Sequence, residues 1–540
     1  MNNSTNRRTE SGWKILAFLA SLISILLLVY SGGNAPAQES LSASEKRGKQ
    51  IYVQGTSPSG KEILAYLSEA SMEVPGNTVA CANCHALDGQ GKPEGGISPS
   101  NITNEALTKP YGVTHSDGRK HPPYTDRGLE LAITRGVDPA GNKLLSIMPR
   151  YVMTKEDLAD LVAYLKRVGK DRDPGISESK IVIGTAVPAN GPLAEMGQAI
   201  KAMTTAFFDE INSQGGIYNR RIEVKFAEIG ETAAATRANF ESLIKDGQVF
   251  AITGAFVAGA EKEIIPLMAQ QEVPLIGPVT LYPQTDLPLN RQVFYLLAGI
   301  DDQARAMVSF VANRPELKQQ RIAVVFPGAE NQKRVVSAIK DRSKKDGLPE
   351  PQIYEYAAGA FNAAEAISQV RRTGSEAIFF FGNNTDSMSF MNEAGKLGWF
   401  PTIFLPSGSA GKEVFDAPAG FNGKLFFSLP TSPADQSAEG LREFRTLSEK
   451  YKLPARHVAV QVSTYSAAKI LVEAMKRVGR DLSRERLIQV LDGLYEYQTG
   501  LTPAITYGPN RRIGALGAYV VTVDLKDKKF SPVGGWIGLN

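Results

Sequence analysis

Cys81-Ala82-Asn83-Cys84-His85 uses the only two cysteines of the 540-residue chain and places a histidine directly after the second. Two thioether bonds to vinyl groups and one imidazole on an iron need that order and spacing. The motif therefore reads as c-type haem attachment, with one covalent haem c as the cofactor. A bare C-x-x-C is also the pattern of a dithiol redox pair or of half a zinc site. Zinc takes about four ligands, and no further cysteine exists to supply them. A haem so attached takes a second axial ligand, and Met148 is offered in Ser146-Ile147-Met148-Pro149-Arg150-Tyr151. Met153, His115 and His121 are the rival ligands. The two histidines lie beside Gly118 and Pro122, which places them in solvent-facing loops.

These residues need elements to hold them. Thr154 can cap a helix, with Asp157 three residues on completing a capping box. Leu158, Leu161, Val162 and Leu165 then fall on one face. A leading helix over Glu45–Tyr52, containing Gly48, comes before the cysteines. The order of leading helix, C-x-x-C-H, Met-Pro and closing helix with Tyr164-Leu165 resembles a class I cytochrome c over residues 40–168. The resemblance implies a small all-α domain, thioethers at Cys81 and Cys84, His85 as proximal iron ligand and Met148 as distal ligand, with Pro99 near His85. A His/Met pair leaves the iron no open position and raises its potential relative to two histidines. Residues 55–79 are an insertion against that pattern.

A chain of this length is too long for one core. Hydrophobic residues at 43% and charged residues at 21% are ordinary globular values. A net charge of +4 and the lack of any Lys/Arg-rich run give no case for nucleic acid. Arg7, Arg8 and Lys14 precede a 16-residue apolar run, Ile15 to Tyr30, and Ala35-Pro36-Ala37 offers an A-x-A cleavage site. Residues 1–37 thus read as a secretory signal peptide, with an uncleaved membrane anchor as the alternative. Either way the remainder lies outside the cytoplasm, in the periplasm. The polar stretch 169–179 reads as a linker.

From Lys180 onward, short apolar β-rich runs alternate with amphipathic helical stretches, the texture of α/β structure with parallel sheets. Lys180–Ala186 is the first strand. A helix follows with Met196, Ile200, Met203, Phe207 and Ile211 on one face, and it stops at Gly215-Gly216. The segments GTAVPANGPLAEMG, DEINSQGGIYNRRIEV, VPLIGPVT, VFYLLAGIDDQARAM and RIAVVF occur in that order. With them, residues 180–525 of a domain set at 180–540 resemble a type I periplasmic binding protein of the branched-chain amino acid and amide group. That implies two α/β lobes, a three-strand hinge, a ligand in the cleft and, as one partner, an ABC permease. Loops leaving the carboxyl ends of strands line such a cleft. They offer Ala255, Phe256, Val257, Thr280 and Tyr282 from one lobe and Asn331, Asn383 and Asn384 from the other.

The resemblance implies hydroxyl residues for an amino acid's carboxylate in the first of these loops, where this chain has Ala255-Phe256-Val257-Ala258. The loop that would offer an acid to its ammonium reads Pro406-Ser407-Gly408-Ser409. A zwitterion would forgo charge-assisted bonds of about 1.5–3 kcal/mol each, so the solute is expected not to be a plain α-amino acid. The segment shows no catalytic constellation or P-loop, and direct enzymatic turnover is the least favoured class. The leading expectation is an exported electron-transfer protein whose partner is a dehydrogenase or another cytochrome. A transport receptor with an accessory haem and a ligand or redox sensor are the alternatives.

Overall fold

The computed structural model describes residues 41–67, 72–91, 98–115, 118–480 and 482–539. The leader expected over residues 1–37 lies outside them. No helix among the described residues is long and apolar enough to cross a membrane. The chain divides between Asp171 and Arg172 into two compact units.

In the first unit the leading helix, Ala43–Gln54, starts at Ser42. The Ser42 hydroxyl accepts from the Glu45 N–H, and the Glu45 carboxylate accepts from the Ser42 N–H, a complete capping box. Gly55, at φ +67°, ends it. The closing helix, Lys155–Leu165, packs across it. A methyl group on Gly48 would lie 2.0 Å from the Asp160 carbonyl oxygen, so only glycine permits that crossing. Arg47 and Ser44 both donate to the Asp160 carboxylate and pin the two helices together. Ile51, Tyr52, Leu161, Tyr164 and Leu165 form the core between them. Thr154 caps the closing helix by accepting from the Asp157 N–H at 3.0 Å. The box expected there is only half made, because the Asp157 carboxylate accepts from the Thr154 and Ser57 hydroxyls instead.

The unit is helical, but it also has a small sheet outside the all-α expectation. Leu64–Leu67 runs antiparallel between Met72–Pro75 and Arg150–Val152, pairing Ala65 with both Val74 and Tyr151. The insertion thus earns its place by burying Ile63 and Ala65 in the same core.

The second unit has two lobes. In the first, a parallel sheet runs in the order Ile513–Ala515, Val293–Leu297, Leu275–Ile276, Ala251–Thr253, Lys180–Val187, Arg221–Glu228. The expected helix forms as Ala194–Ser213 and buries Ile200, Met203 and Phe207. The second lobe orders Gln352–Tyr356, Ile322–Pro327, Ala377–Phe380, Thr402–Leu405 and Leu425–Leu429 in parallel, then adds Gly517–Asp524 and Lys529–Pro532 antiparallel. The chain passes between lobes three times: after Leu297, after Leu429 and at Leu516.

Most of the stretch expected as a linker is structure. Ile176 is buried in the first-lobe core, Gly175 at φ +83° packs against the Phe250 backbone, and Asp173 accepts the Arg484 N–H.

Candidate functional site

Cys81–His85 is one turn of helix. Residues i, i+3 and i+4 share a helix face, so both thiols and the imidazole stand on the same side. The thiols are free, Cys84 exposed and Cys81 partly buried against the core. Burial pushes the Cys81 thiol up to about 11. Ahead of the turn, the Tyr151 hydroxyl donates to the Val79 carbonyl. Behind it, the Tyr52 hydroxyl donates to the Ala86 carbonyl at 2.6 Å. Two buried tyrosines from the core thus grip both ends of the motif. His85 Nδ1 lies 2.9 Å from the Ser100 carbonyl, which fixes the ring and leaves Nε2 for an iron. Burial lowers the His85 pKa, favouring the neutral imidazole that a metal requires. The partner is Ser100; the expected neighbour Pro99 is one residue away, its carbonyl beside Gly91.

Met148 follows exposed Leu145 and Ile147 and is itself half-buried, and among the described residues it belongs to no packed cluster. Met153 packs against the domain core. His121 is not solvent-facing as its loop context implied. It is 6% exposed, with Nδ1 2.8 Å from the Pro122 carbonyl and Nε2 2.9 Å from His115 Nε2. A ring with both nitrogens engaged has none left for iron. Two unpaired thiols, an oriented imidazole and a thioether outside the core make a donor set that fits a haem c.

In the second unit, a cavity of about 470 Å³ opens where the second-lobe strands end. Tyr282, Leu281, Ile300, Phe381 and Pro406 supply its apolar lining; Asn383, Asn384, Thr385, Gln332 and Ser409 supply polar groups. None of the side chains lining it is charged. Gln332 Nε2 donates to the Tyr282 hydroxyl at 2.9 Å, while its buried Oε1 has no donor. Buried Gln303 props the Pro406–Ser409 loop by accepting from the Ser407 N–H and the Ser428 hydroxyl, both at 3.1 Å.

Comparison with known proteins fits this anatomy. Residues 180–529 match the family model for periplasmic binding proteins, which is well over half of the chain, and residues 46–169 match that for cytochrome c. The chain belongs to the periplasmic binding protein family. Its periplasmic-binding-protein module follows a cytochrome c domain, which implies covalently bound haem c. Among its relatives is the Leu/Ile/Val-binding protein BraC3 of Rhizobium johnstonii, 22% identical over 334 residues, 62% of this chain and 89% of the relative. The Leu/Ile/Val-binding protein homolog 3 of Brucella melitensis is 22% identical over 302 residues, 55% and 79% of the respective chains. A branched-chain amino acid ABC transporter protein of Thermus thermophilus with bound valine superposes with a TM-score of 0.56 at 17% identity, covering 67% of this chain and 98% of its own. A fatty acid ABC transporter substrate-binding protein of Thermomonospora curvata gives 0.54 at 16%, covering 68% and 94%. At such identities the structures share the fold alone.

Of the cleft residues expected from sequence, the cavity of the binding module brings together Tyr282, Asn383 and Asn384. Asn383 also caps its helix, accepting from the Asp386 N–H at 2.8 Å. Ala255, Phe256 and Val257 are packing residues: all three are buried, and the Phe256 ring packs with Val187 and Ile200. Thr280 turns away from the cavity, donating to the buried Glu261 carboxylate at 2.6 Å. Asn331 does not line it; the next residue on the helix Glu330–Lys345, Gln332, does. Sequence reasoning missed Gln332 and the Ser100 carbonyl. A one-residue shift on a helix carried the first, and a main-chain acceptor leaves no sequence signal for the second.

Proposed function

We propose that this chain is an exported, single-haem electron-transfer protein whose second unit holds a small uncharged molecule, and that it passes electrons to or from a partner redox protein. The carrying observation is the helical turn that presents Cys81, Cys84 and His85 on one face with His85 Nδ1 already tied to Ser100. Cys81 and Cys84 would hold the haem covalently, and His85 and Met148 would be its iron ligands. When bound, that group supplies a one-electron couple. Tyr52 and Tyr151 tie the backbone on either side of the turn, which supports a ligand set that need not rearrange on electron transfer. Leu145 and Ile147, 57% and 55% exposed, suit contact with an apolar macrocycle. The uncharged cavity lining favours a ligand with an apolar body and amide- or hydroxyl-bonding groups over an amino acid zwitterion. Delivery of that ligand to a permease, as relatives of the Leu/Ile/Val-binding type suggest, is the second reading.

Exposing the reduced holoprotein to carbon monoxide tests the carrier role. A six-coordinate electron carrier leaves its spectrum unchanged on mixing. Prompt formation of a carbonyl spectrum shows an open iron site and contradicts the reading.

A further inference from the structure

Among the described residues, one side chain holds the loop carrying Met148. Arg150 opens the strand Arg150–Val152, where pairing with Tyr66 fixes its backbone. Its guanidinium turns back on the loop. Nη1 donates to the Met148 carbonyl, and Nη2 donates to the Leu144 carbonyl at 3.0 Å. Longer contacts reach the Leu145 carbonyl at 3.4 Å and the Pro149 carbonyl at 3.5 Å. Among the described residues no carboxylate forms an ion pair with it. A planar fork of donors usually serves a carboxylate or phosphate. Here it is spent on the main chain around a single methionine.

The neighbouring glycine leaves room for it. A Cβ on Gly136 would lie 1.8 Å from Arg150 Nε and 1.9 Å from Cζ. Gly136 ends the helix Asp126–Arg135 at φ +64°, and its carbonyl accepts the Leu144 N–H at 2.8 Å. Helix end, loop and strand therefore meet at the guanidinium.

We propose that Arg150 is a positioning residue that holds the Met148 sulfur at the haem iron by tying down the carbonyls of the loop. This rests on the reading of Met148 as distal ligand. A thioether is a weak, neutral donor, so its bond to iron depends on the loop being unable to swing away. Outer-shell partners of metal ligands commonly contribute about 10–100-fold to ligand binding.

The test is an imidazole titration of the ferric holoprotein, followed by the methionine–iron charge-transfer absorption. Wild type shows the band and Met148→Ala lacks it; a band surviving in Met148→Ala overturns the ligand assignment and the proposal with it. Arg150→Gln is expected to lose the band at about 10–100-fold less imidazole, with Arg150→Lys in between. Gly136→Ala, which crowds the guanidinium without removing it, shifts the same way. Gly60→Ala imposes similar backbone strain at φ +75° with nothing within 4 Å, and leaves the titration unchanged. If Arg150→Gln matures poorly, the Gly136 and Gly60 pair decides alone. Displacement at the wild-type imidazole concentration in both Arg150→Gln and Gly136→Ala, with Met148→Ala lacking the band, refutes the positioning role and leaves the ligand assignment standing.

Discussion

Replacing Gly48 by alanine sets two effects of opposite sign against each other. In a helix interior, glycine to alanine is worth up to about 1 kcal/mol of stabilisation. At Gly48 the new methyl would lie 2.0 Å from the Asp160 carbonyl oxygen, 2.6 Å from its carbon and 2.8 Å from Tyr164 Cβ. The first two are backbone atoms and cannot swing aside, so the leading and closing helices must separate. Separation also stretches the Arg47 and Ser44 bonds to Asp160 and loosens Tyr52 against Tyr164. Overpacking costs about 1–3 kcal/mol, which outweighs the propensity gain. Net destabilisation of about 1–2 kcal/mol follows. Gly128, in the helix Asp126–Arg135, is the comparator: its nearest neighbours to an added methyl stand at 3.5 Å, an ordinary contact. Gly128→Ala is expected to be neutral or stabilising by up to about 1 kcal/mol. Urea unfolding of the holoprotein, read at the haem absorption so that only the first unit reports, separates the two. A Gly48→Ala midpoint at or above wild type refutes the packing argument.

Substituting Met148 by alanine is expected to lower the haem potential, since a thioether ligand raises it, and a potentiometric titration equal to wild type contradicts that. Arg484 donates to the carbonyls of Val249, Phe250 and Gln271 at 2.7, 3.0 and 3.2 Å, so Arg484→Met leaves three acceptors short and is expected to cost about 2–4 kcal/mol. Unfolding of the second unit by circular dichroism checks it, and an unchanged midpoint counts against it. Burial, together with the adjacent Asp301, pushes the Asp302 carboxyl up to about 6. A folded-state pKa above the unfolded 3.8 favours the protonated folded form, so its stabilising contribution is present below about pH 4 and lost as pH rises through 6. Asp302→Asn should flatten that slope in thermal melts taken from pH 4 to pH 7; an identical slope in the variant refutes the assignment.

Motifs with local rules were legible. The C-x-x-C-H turn, the Gly48 helix, the Thr154 cap and the helix Ala194–Ser213 could be read from spacing and periodicity alone, because i, i+3, i+4 contacts and caps act within a few residues. The alternating strands and helices of the binding module were legible for the same reason. The small sheet was not, since its third strand joins Leu64–Leu67 only across more than eighty residues, from Arg150–Val152. The cleft was half legible. Strand ends marked the right loops, but which side chain faces a cavity depends on helix register, as Asn331 and Gln332 show. Phe256 was misread because an aromatic in a cleft loop can pack inward as readily as outward. His121 was misread because a loop histidine paired to a second imidazole no longer needs water.

Intact-mass measurement of protein matured in a host that attaches haem c, combined with its visible spectrum, tests the central claim most directly. The account predicts polypeptide plus one covalently retained haem, with a low-spin six-coordinate spectrum in both oxidation states. Colourless protein at the bare polypeptide mass from such a host would contradict it.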